Sequence, residues 1–223
     1  NENYTSKKLD LSSIKIITST GSPLSEESFK YIYENIKQDV HLASIAGGTD
    51  LVGCLVLGNL YSNVYKGEIQ GQSLGIDVDV FTDNGKSTKE GDKGELVVKK
   101  PFPSMPVKFW GDNEGQKYHK AYFTRYKNIW HHGDYVEKTK NGGFIMRGRS
   151  DATLNPGGVR IGTSEIYQQV EDIDFVTEGL VIGQNFKDDV RIILFVTTKN
   201  NQQLDDKKIQ LIKKKIRKNC SPK

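Results

Sequence analysis

The sequence predicts an α/β unit plus a small β-barrel subdomain, followed by a small α+β domain. The expected division is 1–150 and 151–223. Three observations lead there. Between residues 11 and 56 a β-branched run, a helical face and a second apolar run come one after another, which is the rhythm of a parallel α/β unit. Between 67 and 149 short alternating strands are separated by frequent turn signals, as in a small barrel. From 151 onward the pattern is helix, strand, strand, helix. With 35% hydrophobic and 27% charged residues, the 223-residue chain has enough apolar content for a packed core and is not a disordered polymer.

In the first unit Ile14, Ile16 and Ile17 with Thr18 and Thr20 read as a buried strand. Gly21-Ser22-Pro23 ends it, with Ser22 as expected N-cap and Pro23 at the first helical position. Phe29, Ile32, Tyr33 and Ile36 share one helical face. His41 to Ile45 is the next strand, closed by Gly47-Gly48. In the second unit Ile76, Val78 and Val80 alternate with polar neighbours, and Asp83-Asn84-Gly85 is a turn. Glu95 to Val98 is a further strand, and Asn141-Gly142-Gly143 joins Tyr135-Val136 to Phe144-Ile145-Met146 in a hairpin. This unit is expected to be all-β. In the third, Thr163 is the expected cap of a helix bearing Ile166, Tyr167 and Val170. Leu180 to Ile182 and Arg191 to Thr197 are strands, and Ile209, Ile212 and Ile216 mark a last helix. The lysines and Arg217 of that helix read as a solvated face, with a phosphate-attracting surface as the rival.

Several classes are excluded or disfavoured. No apolar run approaches the roughly 20 residues of a membrane span. A net charge of +4 permits anionic ligands without implying nucleic acid. Cys54 and Cys220 lack any zinc or redox spacing and read as reduced thiols of a cytosolic protein. Cys54 sits in an apolar stretch and reads as core, not as a nucleophile. The chain opens on Asn1 and closes on Ser221-Pro222-Lys223, which raises the expectation that it is a piece of a longer protein.

Three segments carry candidate chemistry. Ala46-Gly47-Gly48-Thr49-Asp50 comes after a strand, where open α/β sheets bind ligands. Its glycines allow close approach, Thr49 offers a hydroxyl, and Asp50 a hard oxygen for Mg²⁺. The segment also reads as an ordinary turn, and it is no Walker loop, since no Lys-Ser/Thr pair stands after it. Trp130-His131-His132-Gly133-Asp134 is the second. Adjacent histidines on regular structure face opposite ways, so they are not a metal pair, whereas Asp134 is suited to accept ribose hydroxyls or simply to make a turn. The third joins Gly148-Arg149-Ser150-Asp151 to the glycine loop Pro156-Gly157-Gly158-Val159-Arg160-Ile161-Gly162. Guanidinium forks and backbone amides there suit phosphate or ribose, and the same residues suit a tight domain connection.

In this order the segments resemble the adenylate-forming enzymes, the acyl- and aryl-CoA synthetases, over nearly the whole chain. The strongest blocks are Pro101-Phe102-Pro103-Ser104-Met105-Pro106, Trp130 to Asp134, and the run Gly148 to Tyr167. Within the superfamily they look most like the acetoacetate-activating branch. The resemblance implies that Gly21, Ser22 and Pro23 lie along the adenine. It implies that Ala46, Gly47, Gly48 and Thr49 pass between adenine and acyl pocket, with Thr49 on the α-phosphate. Asp50 stands in for the usual Mg²⁺-binding glutamate, directly or through a water. Asp134 and Arg149 would meet the ribose, and Asp151 would be the hinge between large and small domains. Gly157 and Gly158 would line the coenzyme A tunnel, and Arg160 would meet phosphate, so Thr49 and Arg160 are the implied catalytic pair. The implied reaction joins acetoacetate to coenzyme A with ATP, through an acyl-adenylate, giving AMP and pyrophosphate. Acetate or propionate as substrate, and a non-catalytic β-rich binding module, are the alternatives. The absence of side chains at Gly47 and Gly48 argues for an acid longer than acetate. The superfamily's phosphate loop and adenylation lysine match nothing between Asn1 and Lys223, so the chain alone is expected to be inactive.

Overall fold

In a computed structural model, residues 9–154, 156, 161–186 and 189–220 are described. Ile16–Ser19 (β1) and His41–Ser44 (β2) pair in parallel, Ile16 opposite His41. The helix between them, Glu26–Tyr31 (α1), starts later than Ser22 suggests. Ser25 is its cap: its hydroxyl accepts the Ser28 N–H at 3.2 Å, and Glu26 and Glu27 fill a first turn whose dipole favours them. The expected four-residue helical face is not continuous, because Ile32–Ile36 widens into a π-turn that closes with the Lys37 N–H on the Ile32 carbonyl.

Gly47-Gly48 does not close the strand that begins at His41. β2 already stops at Ser44, and the two glycines are the last residues of a separate strand, Ala46–Gly48 (β3), antiparallel to Gly53–Leu57 (β4), which in turn pairs with Gly71–Gln72 (β5). The close approach needs a residue without a side chain: a Cβ on Gly47 would lie 2.1 Å from the Gly53 carbonyl oxygen. A four-stranded sheet, packed with the three-stranded one, holds Val78–Phe81 (β6), Lys93–Val98 (β7), Trp130–Lys138 (β8) and Phe144–Arg149 (β9) in that order. Paired hydrogen bonds between Ile69 and Phe144, both 2.8 Å, link the segment just before β5 to β9. Leu55, Val56, Ile69, Val80, Leu96, Trp130 and Val136 share one buried core between the sheets, which is the form the barrel-like subdomain takes.

The segment 67–149 is not all-β. Gln116–Tyr122 (α2) is a helix that buries Tyr122 against β8. Its first turn is held by Asp112, whose carboxylate accepts the Tyr118 N–H at 2.8 Å. Gly115 at the cap, and the flanking Gly, Asp and Lys residues, mask the short apolar stripe in the sequence.

The chain divides into two compact units, Asn1–Met146 and Arg147–Lys223. The second contains Thr163–Glu171 (α3), the antiparallel hairpin Val176–Phe186 (β10) and Asp189–Thr198 (β11), and Asp206–Asn219 (α4). Its core is Ile166, Val170, Val181 and Ile212. Gly162, not Thr163, is the α3 cap, and the Glu165 carboxylate accepts its N–H at 3.0 Å. Among the described residues no helix is long and apolar enough to cross a membrane.

Candidate active site

Parallel strands end in the same direction, so the loops leaving β1 and β2 gather at one edge of that sheet. Gly21, Ser22 and Pro23 come directly after β1 and are exposed. The Ile45 N–H donates to the Ser19 carbonyl at 2.9 Å, so the chain leaves β2 beside the end of β1 and enters β3 at Ala46. Thr49 and Asp50 sit exposed at the tip of the β3–β4 turn. Val52 closes that turn with φ 48°, a left-handed conformation costly for a β-branched residue.

Asp134 reaches the same region through an irregularity in β8. Val97 pairs with His131 and Glu95 with Tyr135, so His132, Gly133 and Asp134 stand opposite Leu96 alone. Gly133 takes φ 84°, which makes this bulge accessible without strain. His132 and Asp134 are both buried, with His132 Nε2 3.6 Å from Asp134 Oδ2. An indole N–H only donates, so the 3.3 Å contact from Trp130 Nε1 makes His132 Nδ1 an acceptor and leaves its proton on Nε2, the nitrogen nearer Asp134. A Cβ on Gly48 would lie 3.1 Å from His132 Cε1. The β3 end, His132 and Asp134 are therefore neighbours.

Asp50 has a partner that sequence reasoning missed. The Tyr122 hydroxyl donates to Asp50 Oδ2. The Tyr122 ring stacks on Trp130, centroids 3.7 Å apart and planes 12° apart, with Phe109 and Tyr118 edge-on at 5.8 and 5.5 Å. Asp50, Tyr122, Trp130, His132 and Asp134 thus form one chain of contacts from the hairpin tip to the β8 bulge. The only cue was the tyrosine-rich stretch before Trp130, with nothing to tie it to Asp50.

A single exposed carboxylate beside a hydroxyl suits Mg²⁺, which keeps its waters and phosphate oxygens and takes one or two protein ligands. Among the described residues no group of three or more His, Cys, Asp or Glu forms a protein metal cage. The two histidines face opposite ways, as expected. His131 Nε2 lies 3.0 Å from Oε2 of fully buried Glu95, which Arg125 also meets at 3.3 Å.

Arg149 and Asp151 belong to the second unit, with Arg149 Nε 3.5 Å from Asp151 Oδ1 and both side chains exposed. Asp151 is the middle residue of the helical turn Ser150–Ala152 directly after β9. Gly157, Gly158 and Arg160 lie outside the described residues. Cys54 and Cys220 are free thiols, and burial pushes the Cys54 thiol up, away from the reactive thiolate. On α4, Lys215 pairs with Asp172 at 2.6 Å and Lys208 lies over Phe175, so the basic helix is partly occupied with its own fold.

No protein-family model matches the chain. The acetoacetyl-coenzyme A synthetase of Rhizobium meliloti is 57% identical over 213 residues, 96% of this chain and 33% of that protein. The solved acetoacetyl-CoA synthetase from Streptomyces lividans superposes with a TM-score of 0.86 at 38% identity, over 97% of this chain and 33% of that one. A benzoate CoA ligase from Burkholderia xenovorans LB400 shares the fold at TM-score 0.76 and 21% identity, over 94% of this chain and 40% of that one. The chain spans about a third of the length of the curated relatives it matches. Over that third, sequence and fold are similar to those of acetoacetyl-CoA synthetases, and the fold is that of the adenylate-forming enzymes.

Proposed function

We propose that the protein carrying this chain is an AMP-forming acid–CoA ligase acting on acetoacetate. The observation that supports this best is the convergence of Gly48, His132 and Asp134, with Asp50 at the adjoining turn. In this reading the backbone of Gly21 to Pro23 and of Ala46 to Gly48 frames the adenine, Asp134 accepts the ribose hydroxyls, and Arg149 keeps the ribose role that the resemblance implies. The Thr49 hydroxyl donates to an α-phosphate oxygen. Asp50 would hold Mg²⁺, which supplies charge neutralisation to the phosphates.

The acid's carboxylate oxygen attacks the α-phosphorus, and the bond to pyrophosphate breaks. The coenzyme A thiol, losing its proton, then attacks the acyl carbon and AMP leaves. The protein's part is to position and to stabilise charge. Asp151 is the proposed hinge between the two steps. Gly157, Gly158 and Arg160 keep the coenzyme A and phosphate roles that the resemblance implies. Acetoacetate rests on the similarity to acetoacetyl-CoA synthetases. The bare Gly47 backbone is accounted for by strand packing and carries no argument about acid length. A cytoplasmic setting belongs to the same reading, with ATP and coenzyme A as substrates and two free thiols.

The test is calorimetry of AMP binding to the complete gene product. Asp134→Ala removes a charged acceptor worth about 1.5–3 kcal/mol, so affinity falls roughly 10- to 150-fold. Unchanged affinity would remove Asp134 from the ribose and leave the binding-module alternative standing.

A further inference from the structure

We infer that Tyr122 is a positioning residue, fixing the carboxylate of Asp50 for the metal–phosphate group. The inference rests on the proposed role of Asp50 and goes beyond it to another residue. Asp50 is exposed at a hairpin tip, where a short side chain ordinarily samples several rotamers. Here one oxygen has a fixed partner and the other lies over bare backbone. Oδ2 takes the Tyr122 hydroxyl. Oδ1 folds over Gly48 so closely that a Cβ there would lie 2.0 Å from it. Tyr122 is itself closely packed: it is buried, stacked on Trp130, and flanked by Phe109 and Tyr118. An aromatic cage that ends in one hydroxyl, aimed at one exposed carboxylate 72 residues away in sequence, holds that carboxylate in a set direction. Partners of this kind orient a ligand and are worth 10- to 100-fold in metal affinity.

The experiment is a double-mutant cycle in the complete gene product with Tyr122→Phe, Asp50→Ala and the pair. Calorimetry reads AMP affinity in EDTA and the Mg²⁺ concentration needed for half-maximal ATP binding. Tyr122→Phe keeps the ring and its stack, so AMP binding without metal is expected to be unchanged, while the Mg²⁺ requirement rises about 10-fold. In the Asp50→Ala background the same change is expected to add nothing, because Tyr122 acts only through Asp50. An unaltered Mg²⁺ requirement in Tyr122→Phe overturns the inference. So does an equal loss of metal-free AMP binding, the signature of a merely structural tyrosine, or a further rise in the double variant. If Asp50→Ala alone leaves the Mg²⁺ requirement unchanged, the metal role of Asp50 fails, and this inference fails with it for a separate and visible reason.

Discussion

Gly47 and Gly48 are adjacent, chemically identical and on the same short strand, yet alanine is expected to do different things at each. At Gly47 the added Cβ would meet backbone: the Gly53 oxygen at 2.1 Å, Cys54 Cα at 2.5 Å and the Gly53 carbonyl carbon at 2.9 Å. None of these atoms moves without shifting β4, whose Leu55 and Val56 are fully buried. Overpacking of this kind costs about 1–3 kcal/mol, or about 2–12 °C in melting temperature for a chain of this size. At Gly48 the nearest atom is Asp50 Oδ1 at 2.0 Å, the far end of a flexible side chain, with His132 Cε1 at 3.1 Å. The carboxylate can swing away at the cost of its Tyr122 hydrogen bond without moving β4, so Gly48→Ala is expected to lose less stability than Gly47→Ala while its Mg²⁺-dependent nucleotide binding weakens. Differential scanning calorimetry of the chain and nucleotide titration of the complete gene product separate the two. A Gly47→Ala protein as stable as wild type would refute the packing argument. A Gly48→Ala protein that melts early with metal-dependent binding intact would refute the link to Asp50.

Buried and capping charges give two more expected outcomes. Arg125→Ala takes one partner from fully buried Glu95 and leaves His131 at 3.0 Å, a loss of about 1–3 kcal/mol that urea unfolding will register. Hydrogen bonding to the Tyr118 backbone N–H holds the Asp112 carboxyl below its usual range. Its contribution to α2 is therefore complete above the ordinary unfolded value of about 3.9 and disappears as pH falls through the lower folded value. The difference in melting temperature between wild type and Asp112→Asn should persist near neutral pH and close in strong acid; a pH-independent gap would contradict the capping role.

Periodicity and turn chemistry act over a few residues, and the features they govern were readable in the sequence: the parallel pair β1–β2, the hairpin between β8 and β9, and the α3–β10–β11–α4 order. The Trp130 to Asp134 block and the glycine segment before Asp50 were also legible, because residue type and spacing alone mark them out. Elements governed by competition between neighbouring signals were misread. Ser25, with two glutamates after it, displaced Ser22 as the α1 cap, and α2 was hidden behind Gly115 and its charged flanks. Tertiary structure alone decided the long-range relations. Tyr122 meets Asp50, His132 comes up against Gly48, and Gly47 is needed because β4 passes against it. Local pattern carries no trace of these, because each depends on where a distant backbone lies once the two sheets have closed on their common core.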